Sequence, residues 1–158
     1  MATNSDKIHL TQEGFDEIKK EYQELVDVKR PKIVERLAEA RREGDLSENN
    51  EYIQSRQALS FLDDRIAELK EVVNRAVVIN GRHGNCQEVS LGCRVTVRNG
   101  SSQEQVFHLV GEWETDPAAQ KISSGSPLGK CLLGKKVGDK VEVEVPAGKI
   151  VYNVIKID

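Results

Sequence analysis

The sequence predicts an α+β chain of two domains. An N-terminal antiparallel α-helical coiled coil is expected over residues 1–76, and a C-terminal, mainly antiparallel β domain with one short helix over residues 77–158. Three observations carry this. Apolar residues recur every seven positions along two long segments, an acidic Gly-containing stretch at 44–50 separates those segments, and after Ala76 the pattern changes to period two and short apolar runs.

The first helical segment starts at Thr11, whose side chain suits an N-cap ahead of Gln12 and Glu13, with Gly14 a weak spot in the first turn. Phe15, Ile18, Tyr22 and Leu25 follow in heptad spacing. The stripe then slips. Lys29 and Lys32 hold the next heptad positions, while the apolar residues are Val26, Ile33, Leu37 and Ala40, one position later. Pro31 lies at the slip, and an interior proline removes a backbone donor and crowds the preceding turn, so a kink or local break is expected there.

The second segment is more regular: Tyr52, Leu59, Ile66 and Val73 recur every seven residues, with Leu62, Leu69 and Ala76 between them and Ser55 as the one polar residue in the stripe. Neither helix can bury its stripe alone, so two helices of roughly 30 and 25 residues are expected to pair antiparallel. At about 1.5 Å per residue they form a rod on the order of 40 Å long, with the 44–50 hinge at its tip.

Beyond Ala76, strands are expected at Ala76 to Ile79, Cys93 to Val97, Val106 to Val110, Val141 to Val145 and Ile150 to Ile157. Gly81, Gly84, Asn99-Gly100, Gly111 and Gly148 supply turns, Asn99-Gly100 being the strongest hairpin signal. Pro127 to Lys136 reads as a helix with Pro at its start and Gly134 near its end, covering one face of the sheet. Trp113 is expected in the core.

Composition narrows the functional classes. A net charge of −3 with 31% charged residues excludes a simple basic nucleic-acid binder and leaves room for local patches. Basic residues gather on the tip-proximal half of the hairpin, at Lys29, Arg30, Lys32, Arg36, Arg41, Arg42 and Arg56, while acidic residues crowd the base. That polarity suits either a phosphate backbone met tip first or a solvated helical face. Cys86, Cys93 and Cys131 lie in no CxxC or CxxH spacing and point to no disulfide framework or zinc site, which fits a reducing cytosol. His9, His83 and His108 form no evident ligand set. No signal peptide and no membrane span is legible, and a cytoplasmic, monomeric protein is expected.

The tip carries the most distinctive chemistry. Asp45 and Glu48 are three apart, so their side chains can reach one side. Magnesium accepts one or two protein carboxylates and takes waters or phosphates for the rest of its shell, so a metal held here would be shared with a partner. Equally, acids near a helix start favour the positive end of its dipole, with Ser47 or Asn49 capping the next turn. Local spacing does not separate these readings.

These residues resemble the bacterial Gre transcript-cleavage factors, of the GreA type more than GreB. The match runs through Leu10-Thr11-Gln12-Glu13-Gly14, Arg30-Pro31, the Ala40 to Asn49 block with its Gly-Asp-Leu-Ser-Glu-Asn core, and Glu51-Tyr52. It resumes at Ile122-Ser123, Ser126-Pro127-Leu128-Gly129, Leu132-Leu133-Gly134-Lys135, Gly138-Asp139 and Val141 to Pro146.

The resemblance implies an FKBP-like C-terminal domain without prolyl isomerase activity, docking on RNA polymerase beside its secondary channel while the coiled coil enters that channel. It implies that Asp45 and Glu48 position a magnesium ion shared with the polymerase active site, which then cleaves the backtracked RNA 3' end. The chain would be no autonomous enzyme, and the free protein would hold no cofactor. Leu46, Ser47 and Asn49 shape the tip by the same resemblance. Arg36, Arg41, Arg42 and Arg56 become candidates for contact with RNA or the channel wall, and Ser126, Pro127, Leu128 and Gly129 for docking. Asn50 stands where members commonly have Ala. A channel-binding paralogue that modulates polymerase without cleavage is the competing reading, and the intact Asp-Leu-Ser-Glu tip disfavours it.

Overall fold

Strand β1 (Ile8–Thr11) opens the computed structural model, which describes residues 7–80 and 86–158. The turns expected at Gly81 and Gly84, His83, and the extension at 1–6 lie outside those residues. Helix α1 (Gln12–Glu24) follows β1, then a π-helical turn at Leu25–Lys29, then α2 (Arg30–Arg42) and α3 (Asn50–Arg75). After α3 come β2 (Ala76–Ile79), β3 (Arg94–Asn99), β4 (Glu104–Val110), a 3-10 turn at Glu112–Glu114 and β5 (Lys121–Ser123). Helix α4 (Pro127–Leu132), β6 (Lys140–Val145) and β7 (Gly148–Ile157) complete the chain. It divides into two compact units. One is Asp16–Arg75, and the other takes in the described residues on either side of it.

In the helical unit α2 packs against α3, and the stripe faces inward across the slip. Ile18, Leu25 and Ala40 are buried and Ile33 and Leu37 half-buried, whereas Lys29 and Lys32 are exposed. The break expected at Pro31 takes another form. The backbone stays helical from Glu24 through Arg30, and the Arg30 N–H reaches back five residues to the Leu25 carbonyl. A π turn accommodates one residue more than an α turn, which is the one-position slip seen in the sequence. Pro31 sits at the start of α2, where its missing N–H is tolerated. On α3, Ser55 and Leu69 are buried as their heptad positions require. Ion pairs cross between the helices, Arg30 Nε to Asp63 Oδ1 at 2.8 Å and Arg65 Nη2 to Glu21 Oε1 at 3.1 Å. All four side chains are partly exposed to solvent, so each pair contributes about 0–1 kcal/mol and burial of the stripe carries the stability.

The second unit holds a five-stranded sheet in the order β5-β4-β3-β7-β6, antiparallel except for the β4–β5 pair. Its core is Val89, Cys93, Val95, Val97, Leu109, Leu132, Val141, Val143, Val154 and Ile157, with Leu128 and Phe107 packed against it. Leu128 and Leu132 therefore seat α4 on one face of the sheet. The helix ends at Leu132 rather than Lys136, because Leu133 turns extended and Gly134 adopts φ +79°. The turn after β3 forms as expected, with the Asn99 side chain accepting from Ser101 N–H at 3.1 Å.

Strand β1 pairs in parallel with β2, Ile8 opposite Ala76 and Thr11 opposite Ile79. The start of α1 belongs to this unit. Thr11 Oγ1 accepts the Gly14 N–H at 3.1 Å as the expected N-cap, and Glu114 Oε2 accepts the Thr11 N–H at 2.9 Å. A Cβ on Gly14 would lie 1.9 Å from Glu114 Oε1, so the glycine makes room for that carboxylate. Trp113 is not in the core: 37% of its surface is exposed.

Candidate functional site at the hairpin tip

Helix α2 stops because Gly44 takes φ +120°, a conformation that only glycine adopts without strain, and nothing lies within 4 Å of where its Cβ would be. The Glu43 N–H still reaches the Ala40 carbonyl at 3.3 Å, closing the last turn. Asn49 then serves both helices. Its Nδ2 is a second donor to the Ala40 carbonyl, at 2.7 Å, at the end of α2, and its Oδ1 accepts the Tyr52 N–H at 3.0 Å, capping α3.

This settles which side chain caps. Asn49 does it, so neither Asp45 nor Glu48 is occupied as an N-cap. Asp45 instead folds the apex on itself, its Oδ1 accepting both the Ser47 hydroxyl at 2.8 Å and the Ser47 N–H at 3.1 Å. Those two bonds, the hydroxyl first, hold the Asp45 carboxyl below the usual aspartate range. Its second oxygen stays open to solvent. Glu48 is exposed and, among the described residues, has no hydrogen bond or ion pair. Leu46 is 41% exposed at the apex between them.

The four arginines singled out from the sequence have different surroundings. Arg36 Nη2 pairs with Glu51 Oε1 at 2.6 Å, and the Arg41 guanidinium lies over the Tyr52 ring, 5.8 Å from its centroid. Arg42 and Arg56 are exposed and have no such partner among the described residues. Glu51 is the contributor that sequence reasoning missed. Its pairing with Arg36 joins residues fifteen apart on two helices, which no local pattern reveals.

The Ser126 to Gly129 segment lies in the other unit and is largely occupied in building α4. Ser126 Oγ accepts the Gly129 N–H at 3.0 Å and donates to the Ser123 carbonyl at 2.6 Å. Gly129 is buried where a Cβ would lie 2.0 Å from the Ser123 carbonyl oxygen, and Leu128 packs on the core. Pro127 is exposed.

Among the described residues no group of three or more His, Cys, Asp or Glu side chains could hold a metal. The tip offers two carboxylates, one of them held by Ser47, and that donor set fits magnesium's habit of binding one or two carboxylates alongside phosphate oxygens. No described helix is long and apolar enough to cross a membrane.

Two family descriptions match the chain, "Transcription elongation factor, N-terminal" over residues 8–78 and "Transcription elongation factor, GreA/GreB, C-term" over residues 84–158. The Transcription elongation factor GreA of Thermoanaerobacter pseudethanolicus is 44% identical over 154 residues, covering 97% of this chain and 98% of its own length. That of Thermodesulfovibrio yellowstonii is 42% identical with the same coverage. Among solved structures, the GreA factor homolog 1 protein of Thermus thermophilus has a TM-score of 0.45 at 24% identity, over 96% of this chain and 99% of that one.

Proposed function

Because the chain belongs to the GreA/GreB family of transcription elongation factors, which stimulate transcript cleavage by RNA polymerase, we propose that the hairpin tip is its working end. In this reading the tip enters the polymerase secondary channel and presents Asp45 and Glu48 to the active site of a backtracked complex. The observation that supports it is the division of labour at the apex. Asn49 takes over the capping of both helices, leaving one carboxylate oriented and ionised and the other unengaged.

Asp45 and Glu48 would hold a magnesium ion jointly with the polymerase and the RNA, and when bound the ion supplies Lewis-acid stabilisation of phosphoryl oxygens. Ser47 lowers the pKa of Asp45 further and restrains its carboxylate through two hydrogen bonds to Oδ1. Arg42 and Arg56 are available for the extruded RNA or the channel wall. Arg36 and Arg41 can join them by exchanging exposed contacts worth about 1 kcal/mol or less. Docking through Ser126 to Gly129 would fall on exposed Pro127, since Ser126 and Gly129 are committed to the start of α4.

Adding the protein to defined backtracked complexes is expected to shorten the RNA from its 3' end. Asp45→Ala or Glu48→Ala is expected to slow this by more than the roughly 10–100-fold typical of losing a residue that merely supports a metal ligand. Both variants should still compete with wild type for polymerase. Undiminished cleavage by the double variant would remove the carboxylates from the mechanism. A member that modulates polymerase without cleavage is not favoured, because both tip acids are present and neither serves as a helix cap.

A further inference from the structure

The β unit contains a pair of thiols that the tip chemistry does not use. Cys93 is buried in the sheet core, Cys86 is half-buried, and their sulfurs are 2.8 Å apart, within hydrogen-bond distance. The approach is built by the backbone rather than by two flexible side chains. Val89, midway between the cysteines, is held at both its amide and its carbonyl, donating to the Lys135 carbonyl at 2.8 Å and accepting from the Gly134 N–H at 2.8 Å. The chain then turns, with the Cys93 N–H on the Ser90 carbonyl at 3.1 Å and Gly92 at φ +90°. Ser90 Oγ lies 3.2 Å from the Cys93 sulfur and holds it toward Cys86. The third thiol, Cys131, packs against the same core.

We propose that Cys86 and Cys93 are a site of reversible oxidative modification, closing an intrachain disulfide when the chain meets a small-molecule disulfide such as oxidised glutathione. Cys86 is the residue an oxidant reaches, and Cys93 is the resolving thiol. In the first step the Cys86 thiolate attacks one sulfur of the oxidant and expels one thiolate. In the second the Cys93 thiolate attacks Cys86 Sγ and expels the oxidant's other half. The two cysteine protons leave with the expelled thiolates, so one disulfide is reduced to two thiols as one forms in the protein. A bond length of about 2.05 Å asks only a small further approach of the two sulfurs. The hydrogen bond shared with Cys93, together with burial and the charges of Cys93 and Asp158, pushes the Cys86 thiol up to about 11, so little of it is thiolate at neutral pH and entry of the oxidant is slow.

The test is to incubate the reduced full chain with excess oxidised glutathione, then count thiols and map peptides. Wild type is expected to lose two of its three thiols, yield a Cys86–Cys93 linked peptide and recover both thiols with dithiothreitol. Cys93→Ser, or Cys93→Ala should serine in the core prevent folding, is expected to stop at a glutathione adduct on Cys86. Cys86→Ser is expected to leave Cys93 unmodified. A wild-type chain that keeps all three thiols, retains as much Cys86 adduct as the Cys93 variant, or links either cysteine to Cys131 would overturn the proposal.

Discussion

At Asp45 a single carboxylate oxygen receives both donors of Ser47, and the consequence is electrostatic. The folded-state pKa is depressed, so the charge persists as pH falls and is lost only below the ordinary aspartate range. Ser47→Ala is expected to raise the Asp45 pKa toward that range in a carboxyl NMR titration, and to move the acid limb of cleavage stimulation to higher pH. Asn49→Ala removes a cap and the bond to the Ala40 carbonyl together, and is expected to cost about 1–2 kcal/mol in denaturant unfolding. Ser55 points the other way. Its hydroxyl is buried with no hydrogen-bond partner among the described residues, so Ser55→Ala is expected to stabilise the protein by about 1 kcal/mol. The polar position in the stripe was legible from the heptad. The capper was not, because Ser47 and Asn49 are alternatives on spacing alone, and only the fold of the turn shows Ser47 engaged by Asp45 and Asn49 at the start of α3.

Among the elements, the π turn at Leu25–Lys29 answers two sequence irregularities together, the one-residue slip and Pro31. Deleting Asp27 would restore an unbroken heptad and keep Ile33, Leu37 and Ala40 facing α3, but would place Pro31 inside a continuous α-helix. The expected cost is about 3 kcal/mol in thermal or denaturant unfolding. Adding Pro31→Ala to the deletion should recover most of it, and failure to recover would separate the proline from the turn. The slip was visible because periodicity is a local property. Its resolution as a π turn rather than a break was not, since that depends on the gain from burying Ala40 and Leu25 on one face at once.

For the whole molecule, the two-unit α+β organisation and five of the seven strands were legible, because period seven and period two are written into consecutive residues. Strands β1 and β5 were not. Each has only three or four residues, and each is defined by a parallel partner distant in sequence. Trp113 was misplaced for the same reason, its exposure following from a 3-10 turn that Glu114 ties to β1. The two units also divide the expected effects of mutation. Tip substitutions should abolish cleavage and spare polymerase binding, whereas Pro127→Ala is expected to weaken binding in a competition assay while leaving the unfolding midpoint within experimental error. The β1–β2 ladder has one more consequence, which concerns time. Ile8 leaves the ribosome long before its partner Ala76, and at roughly 5–20 residues per second β1, with the apolar side chain of Leu10, spends several seconds as a strand without a sheet. The whole hairpin is synthesised in that interval, so the helices have the first opportunity to fold, and the second unit must wait for a strand made at each end of them.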